Sequence, residues 1–186
     1  MERLGARIEI VPAAADDAAA LADVAARTFP LACPDSVSAD DIAAFLDENL
    51  SEERFRSYLA DPARVVLIAR SEGRIIGYAM LIDGPGADEQ VHRAVTARPT
   101  AELSKIYVLP DHHGGGAAAG LMTGALRAAA ARGARSVWLG VNQRNARAQR
   151  FYTKQGFTVC GTRSFRLGGH LESDYVMERP LNDPGT

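Results

Sequence analysis

The spacing of apolar residues along the chain changes several times, and each change predicts a helix or a strand. Helical spacing covers five segments, which are Asp16–Thr28, Ala39–Asn49, Glu52–Leu59, Ala117–Arg132 and Asn145–Gln155. Alternating or continuous apolar runs predict seven strands, at Arg7–Val11, Arg64–Arg70, Arg74–Ile82, Glu102–Val108, Ser136–Val141, Phe157–Leu167 and Ser173–Arg179. The polar stretch Gly84–Arg98 predicts a long loop. A strand–helix–strand unit with further strands on both sides favours an α/β fold with a mixed sheet.

Three consecutive glycines, Gly114, Gly115 and Gly116, lie between a predicted strand and a predicted helix. Glycine enters left-handed backbone conformations at little cost, so several N–H groups can point into one concavity. The following helix adds unpaired N–H groups and the positive end of its dipole. This combination predicts a site for a phosphate or pyrophosphate group.

Two common phosphate-binding motifs fit this turn poorly. A nucleoside-triphosphate loop requires Gly-Lys-Ser/Thr, whereas Ala117 and Ala118 follow the glycines here. The dinucleotide pattern G-x-G-x-x-G/A is formally matched by Gly114, Gly116 and Ala119. However, the next predicted strand runs into Asn142 and not into the acidic residue that binds a ribose.

A third pattern fits better and has two parts. His113-x-x-Gly116-x-Ala118 is similar to Gln/Arg-x-x-Gly-x-Gly/Ala, and residues 145–157 are similar to N-x-x-A-x-x-F-Y-x-K-x-G-F. Both are signatures of the GNAT (GCN5-related N-acetyltransferase) family, which the chain therefore resembles. One departure is His113, which stands where Gln or Arg is usual, so its own contact to a cofactor is left open. The backbone cradle does not depend on that side chain.

Segments outside the two signatures also resemble one bacterial branch of this family. They are Arg27-Thr28-Phe29, Gly77-Tyr78, Gly161–Gly169 and Asp174–Arg179. The branch is the spermidine/spermine N-acetyltransferase-like one. A polyamine acceptor is therefore one expectation.

The resemblance implies a single GNAT domain over residues 1–186, with helices flanking a mixed central sheet. The sheet is expected to splay apart after the strand ending at Val108 and to admit the pantetheine arm of acetyl-CoA. Pantetheine amides would pair with that strand as an added strand would. The implied cofactor contacts are Ile106, Tyr107, Val108, His113, Gly114, Gly115, Gly116, Ala117, Ala118, Ala119, Asn145, Tyr152 and Lys154. An N–H near Val108 or Leu109 would polarise the thioester carbonyl.

Acetyl transfer to an amine requires a group that removes a proton, because an alkyl ammonium has a pKa of about 10.4. Glu102 is the candidate base, since several family members place their catalytic Glu at this offset before the glycine turn. In a regular strand Glu102 shares a face with Ser104, Ile106 and Val108. The alternative is an ordinary exposed strand carboxylate.

Coenzyme A leaves as a thiolate, and Tyr152 is the candidate proton donor to it. Packing of Phe151 and Tyr152 in the core is the alternative role for this pair. Asn145 suits both a helix N-cap and a cofactor contact. Neither signature contains a cysteine, which favours direct transfer in a ternary complex over a covalent intermediate.

An acidic segment favours a small cationic amine, such as a polyamine, as acceptor. Its carboxylates are Asp35, Asp40, Asp41, Asp47, Glu48, Glu52 and Glu53. The alternative is a solvated helix surface. Two other functions stay open: a protein or peptide N-acetyltransferase, and an acyl-CoA-binding sensor without catalysis.

Composition excludes several classes of partner. The net charge of −2 provides no basic field for nucleic acid, and no apolar run approaches the length of a membrane span. Charged residues in the first 20 positions argue against a signal peptide. Cys33 and Cys160 are isolated, and the adjacent His112 and His113 belong to no metal-ligand spacing, so we expect a cytoplasmic protein without a metal. A homodimer is left open.

Overall fold

A computed structural model describes residues 6–181. The seven strands are β1 (Ile8–Pro12), β2 (Arg64–Ser71), β3 (Arg74–Asp83), β4 (Thr100–Val108), β5 (Ser136–Asn142), β6 (Thr158–Leu167) and β7 (His170–Pro180). They form one sheet in the order β1-β2-β3-β4-β5-β7-β6. All neighbours are antiparallel except β4 and β5. The predicted mixed α/β sheet is confirmed.

The helices cover both faces of this sheet. They are α1 (Ala18–Ala32), α2 (Ala39–Asn49), α3 (Glu52–Ala60), α4 (Glu89–Ala94), α5 (Ala117–Ala131) and α6 (Ala146–Lys154). On one face, α1 and α3 bury Leu21 and Phe55 against Tyr78 of β3. On the other face, α5 buries Leu121 against Leu139 of β5, and α6 packs beside it. None of the helices within residues 6–181 is long and apolar enough to cross a membrane.

The segment predicted to be a long loop, Gly84–Arg98, contains the helix α4, so that prediction was wrong. Asp88 caps this helix by accepting a hydrogen bond from the Gln90 N–H at 2.8 Å. Val91 and Val95 are one helical turn apart and pack together with Trp138 in a small buried cluster. The helix therefore forms because a short apolar stripe finds tertiary partners.

The sheet splays between β4 and β5. These strands pair only at residues 100–102 with residues 136–138, and they diverge beyond that point. The predicted splay beside the strand that ends at Val108 is therefore confirmed, and the gap begins after Glu102. Beyond Glu102, the edge of β4 that faces β5 pairs with none of the described strands, and it borders the gap.

A β-bulge in β4 changes which side chains share a face. Lys105 lies opposite Met80 and Leu103 lies opposite Leu81, so Ser104 is an extra residue. Because of this insertion, Glu102 shares its face with Lys105 and Tyr107. The expected alternation through Ser104, Ile106 and Val108 is wrong, since Leu103, Ile106 and Val108 pack on the α5 side.

Candidate active site

A cavity of about 750 Å³ lies where β4 and β5 separate. Its wall includes the glycine turn, parts of α1, α2, α5 and α6, and strands β4 to β7. This volume lies in the range of small-molecule and cofactor sites. The cavity has two chemically different ends, a cofactor end at the glycine turn and an acceptor end beside α1, α2 and β7.

The glycine turn has the expected backbone conformation. Gly114 and Gly116 have φ angles of 82° and 89°, whereas Gly115 is not left-handed. Gly116 directly precedes α5, and its carbonyl accepts the Gly120 N–H at 2.9 Å. The first N–H groups of a helix have no carbonyl partner within it, so those of residues 117–119 are free to bind an anion. Gly114, Gly116, Ala118 and Ala119 line the cavity.

The His113 side chain bridges the β4 strand and the helix α6. Its Nε2 lies 2.8 Å from the Val108 carbonyl oxygen, and its Nδ1 lies 2.8 Å from a guanidinium nitrogen of Arg147. A carbonyl only accepts and a guanidinium only donates, so Nε2 carries the proton and Nδ1 accepts. The imidazole therefore holds Arg147 beside the glycine turn, where both residues line the cavity.

The main chain of β4 presents alternate groups to the gap. The Leu109 N–H donates to the Ile76 carbonyl of β3 at 2.8 Å, so it is not available to a thioester. In an antiparallel pair, hydrogen-bonded residues alternate with residues whose main-chain groups point away from the partner strand. The main-chain N–H and C=O groups of Ile106 and Val108 therefore point to the gap, whereas those of Tyr107 point to Tyr78 of β3.

Glu102 lies on the cavity wall with its side chain half-buried. Burial raises the pKa of this carboxyl above its usual value, and the positive charges of Lys105, Arg163 and Arg64 partly oppose the rise. Burial disfavours a charged carboxylate, so the ionised form of Glu102 is a stronger base than an exposed Glu.

Tyr152 and Asn145 meet the cavity from the α6 side. Burial raises the pKa of the Tyr152 hydroxyl to about 12, so this group holds its proton at neutral pH. Its ring centroid lies 5.6 Å from that of Phe151, which shows that packing and exposure to the cavity coexist. Asn145 Oδ1 accepts the Ala148 N–H at 3.1 Å, so the expected N-cap is present.

The predicted cofactor residues fall into two groups. Ile106, Tyr107, Val108, His113, Asn145 and Tyr152 line the cavity together with four residues of the glycine turn. Gly115, Ala117 and Lys154 are not among its lining residues. Ala117 is buried in the core, and Lys154 is exposed in the last turn of α6. Contacts of these three residues to a cofactor stay predictions.

The acceptor end contains charged side chains that the sequence did not single out. Arg163 reaches from β6 across the sheet, and its Nε lies 3.3 Å from Asp174 Oδ2. Its guanidinium carbon lies 5.6 Å from the Trp138 ring centroid on β5. Gly140 makes room for it, because a Cβ there would fall 2.9 Å from Arg163 Nε. Burial raises the pKa of the Asp174 carboxyl, and Arg163 opposes the rise.

Glu172 completes this surface, and we call Asn142, Arg163, Glu172 and Asp174 the polar floor. Glu172 is only 7% exposed and accepts a hydrogen bond from Asn142 Nδ2 at 3.2 Å. It also accepts one from Ser36 Oγ at 3.4 Å. Glu172, Asp174 and the buried Val176 alternate along β7, which is the signal that could have predicted a shared face.

The apolar wall of the acceptor end comes from α1 and α2. The rings of Phe29 and Phe45 stack with centroids 4.5 Å apart. Cys33 also lines the cavity, and its Sγ lies 3.3 Å from the Phe29 carbonyl. Burial raises the pKa of this thiol to about 11. Such a thiol stays protonated at neutral pH and is a poor nucleophile.

The acidic segment between residues 35 and 53 does not face this cavity. None of its seven carboxylates is among the cavity-lining residues within the described chain. The carboxylates that do line the cavity are Glu102, Glu172 and Asp174. Negative charge is therefore present at the acceptor end, but it comes from the sheet.

Comparisons with known proteins agree with this geometry. Residues 24–157, more than half of the chain, match the sequence model of the Acetyltransferase (GNAT) family. An uncharacterized N-acetyltransferase of Mycobacterium tuberculosis is 58% identical over 165 residues, covering 89% of this chain and 98% of the relative.

Two solved structures share the fold. PaiA N-acetyltransferase from Thermoplasma acidophilum, in complex with coenzyme A, has a TM-score of 0.74 at 22% identity, covering 94% of this chain and 99% of that one. The ribosomal-protein-S18-alanine N-acetyltransferase from Escherichia coli has a TM-score of 0.68 at 19% identity, covering 97% and 99%. The splayed mixed sheet, the glycine turn and these matches together show that the chain belongs to the GNAT family and is an acetyl-CoA-dependent N-acetyltransferase.

Proposed function

We propose that the protein transfers an acetyl group directly from acetyl-CoA to a primary amine that is bound beside it. The observation that carries this proposal is that one cavity is lined by the glycine turn and by two proton-handling groups, Glu102 and Tyr152. A thioester and an amine bound together in this cavity could react directly, without an acyl-enzyme intermediate. Holding both reactants in one site also lowers the entropic barrier to their reaction.

The cofactor end fits the parts of acetyl-CoA. Left-handed Gly114 and Gly116 with the start of α5 suit its pyrophosphate. Main-chain groups of Ile106 suit a pantetheine amide, and the Val108 N–H suits the thioester oxygen, since the Val108 carbonyl already accepts from His113. The related PaiA enzyme has been crystallised with coenzyme A, which supports this assignment. Acetyl-CoA supplies the activated acetyl group, and the residues above hold it.

Two side chains would move the protons. Glu102 accepts a proton from the acceptor ammonium, directly or through a water, because its carboxylate is made more basic by burial. Tyr152 donates its hydroxyl proton to the departing thiolate. A thiol has an ordinary pKa of about 8.5, well below that of the Tyr152 hydroxyl, so thiolate protonation is assisted by position more than by acidity.

Direct transfer is favoured over a cysteine-linked intermediate. Cys33 is a cysteine on the cavity wall, and burial raises its pKa to about 11. A protonated thiol does not compete with an amine for a thioester. Cys160 is not among the lining residues within the described chain.

The acceptor is proposed to be a small molecule. Phe29 and Phe45 wall the acceptor end, which suits a small amine better than an extended peptide. A polyamine stays a prediction, and the acidic segment lends it no support because its carboxylates lie elsewhere. A protein N-terminus is the alternative, since the Escherichia coli neighbour is named for ribosomal-protein-S18-alanine acetylation.

Release of free coenzyme A, measured across polyamines, amino acids, aminoglycosides and peptides, tests the proposal. We expect turnover with at least one small amine. Tyr152→Phe should lower kcat about 10- to 100-fold at saturating substrates and leave acetyl-CoA affinity nearly unchanged. Cys33→Ser serves as the matched cavity-wall control and should retain turnover.

Three results would argue against this proposal. Tight coenzyme A binding without turnover of any amine would favour a sensor. Turnover of peptides alone would favour the protein acetyltransferase alternative. Loss of turnover in Cys33→Ser, with an acetylated wild-type protein detected by mass spectrometry, would replace direct transfer by a covalent route.

A further inference from the structure

Lys105 is a cation on the cavity wall for which the reaction described above has no use. The bulge at Ser104 turns its side chain to the same face as Glu102. Its Nζ donates to the carbonyl and to the Oγ of the adjacent Ser104, both at 3.2 Å. Both acceptors are neutral. Lys105 therefore makes no direct ion pair, and Glu102 on the same face is the charged neighbour that partly balances it.

No carboxylate within residues 6–181 lies within 4 Å of the Lys105 ammonium. The nearby positive group Arg163 is paired with Asp174. Removing an ammonium from water is costly unless an anion or several acceptors replace the lost hydration. A cavity-facing ammonium with only neutral acceptors is thus suited to bind an anionic group of a ligand.

We propose that Lys105 binds a carboxylate of the acceptor, so that the acceptor is an aminocarboxylate and not a polyamine. This inference rests on the proposed function, because it concerns the amine that occupies the same cavity. A carboxylate suits the site better than a phosphate dianion, since Glu102, Glu172 and Asp174 also line the cavity and would repel a second negative charge.

The charged groups around Lys105 also favour a carboxylate as its ligand. Burial lowers the pKa of its ammonium, Arg163 and Arg64 lower it further, and Glu102 opposes them. An anion placed beside Lys105 would reverse this effect and stabilise the charged form. A second ammonium of a polyamine would be repelled by Lys105, whereas the carboxylates that could attract it are already engaged, Asp174 by Arg163 and Glu172 by Asn142 and Ser36.

The two ends of an aminocarboxylate match the two groups on β4. Glu102 and Lys105 lie on the same face of one strand, one facing the amine and the other the carboxylate. The polar floor keeps hydrogen-bonding capacity beside both groups. Phe29 and Phe45 offer an apolar surface to the remaining part of the molecule. A small amino acid is the simplest molecule with all three features.

The test compares acceptors that differ only in the carboxylate. Each L-amino acid is paired with its L-amino acid amide, and spermidine and butylamine are included. Amidation makes the adjacent amine less basic, so intrinsic reactivity at neutral pH favours the amide. We expect kcat/KM of the preferred amino acid to exceed that of its amide about 10- to 100-fold, the range for a charge-assisted hydrogen bond.

Two variants, Lys105→Met and Lys105→Arg, test whether Lys105 causes the preference for the free carboxylate. Lys105→Met keeps most of the side-chain volume without the charge, and the amino acid to amide ratio should fall to about one. Lys105→Arg should restore most of the ratio, because it keeps the positive charge. Thermal melting and coenzyme A binding by calorimetry establish that each variant is folded.

Several results would overturn the inference while leaving the proposed function intact. They are equal rates for amino acids and amides, a higher kcat/KM for spermidine than for every amino acid, and a ratio unchanged in Lys105→Met. Equal loss of both rates in Lys105→Met, with the ratio preserved, would make Lys105 a proton-handling group instead. Absence of turnover with every amine would remove the proposed function and this inference together.

Discussion

The two ends of the cavity are built in different ways. The cofactor end presents mainly main-chain groups, namely the left-handed glycines, the start of α5 and the edge of β4, with the His113–Arg147 pair beside them. The acceptor end consists of side chains from β4, β5, β6 and β7, with an apolar wall from α1 and α2. A main-chain site needs only a short local motif, whereas a side-chain site depends on residues far apart in the sequence. The first can therefore be conserved in shape while the second changes its ligand.

The largest expected effect separates catalysis from cofactor binding. Glu102→Gln should lower kcat/KM about 10²- to 10⁴-fold at neutral pH, because it removes the proton acceptor. Acetyl-CoA affinity, measured by calorimetry, should change little, since Glu102 lies outside the glycine turn.

The pH dependence of the same variant gives a second check. The pKa of Glu102 is raised, so its basic form is present only above that pKa, and wild-type activity should fall as the pH drops through it. In Glu102→Gln the reaction depends on amine already deprotonated in water, so the pH–rate profile should move upward. Glu178→Gln, on the same sheet face but outside the cavity lining, is the matched control. A profile identical to wild type would exclude Glu102 from proton transfer.

A smaller effect is expected when the cofactor end is altered. Gly116 has a φ of 89°, which a β-branched residue adopts only with strain. Gly116→Val should weaken coenzyme A binding at least about tenfold, equivalent to roughly 1.4 kcal/mol, because the turn can no longer present its N–H groups. The measurement is calorimetry on the folded variant.

The far end of the same helix offers a control for this strain. Gly133 has a φ of 85° and nothing within 4 Å of a Cβ position, as is also true of Gly116. Gly133→Val should lose comparable thermal stability and keep its coenzyme A affinity. If both variants bind coenzyme A as the wild type does, the glycine turn is not the pyrophosphate site.

The smallest expected effect concerns Arg147, whose guanidinium is held at the cofactor end by its hydrogen bond to His113. Arg147→Met should raise KM for acetyl-CoA about two- to fivefold with kcat unchanged, since an exposed charge is screened by water. His113→Leu should act in the same direction, because it frees Arg147. Arg150→Met, on the same helix but outside the cavity lining, should behave as the wild type. An Arg147→Met effect that persists undiminished at high salt would contradict an electrostatic role.

The difference between local main-chain features and side chains brought together by the fold also explains what the sequence could predict. Periodicity identified all seven strands, and α2 was predicted with its observed bounds, Ala39–Asn49. The short helix α4 was missed because its stability comes from packing on Trp138 and not from its length. The glycine turn was predicted because its conformation depends on adjacent residues.

The acceptor end could not be predicted to the same extent. The bulge at Ser104 decides the face of Lys105, yet it arises from pairing with β3 and has no local sequence signal. Glu172 and Asp174 become cavity residues only because β7 pairs with β5. The acidic segment, by contrast, was visible in the sequence but lies away from the cavity.

Gly140 has a consequence for how such an enzyme could diversify. Because Gly140 has no side chain, the Arg163 guanidinium can lie over β5 beside Trp138. A larger residue at position 140 would displace that guanidinium, because a Cβ there would lie 2.9 Å from Arg163 Nε, and it would change the geometry of the pair with Asp174. One substitution would thus change where the Arg163 charge lies at the acceptor end without touching the glycine turn. Position 140 is therefore the natural starting point for a library that seeks new acceptors.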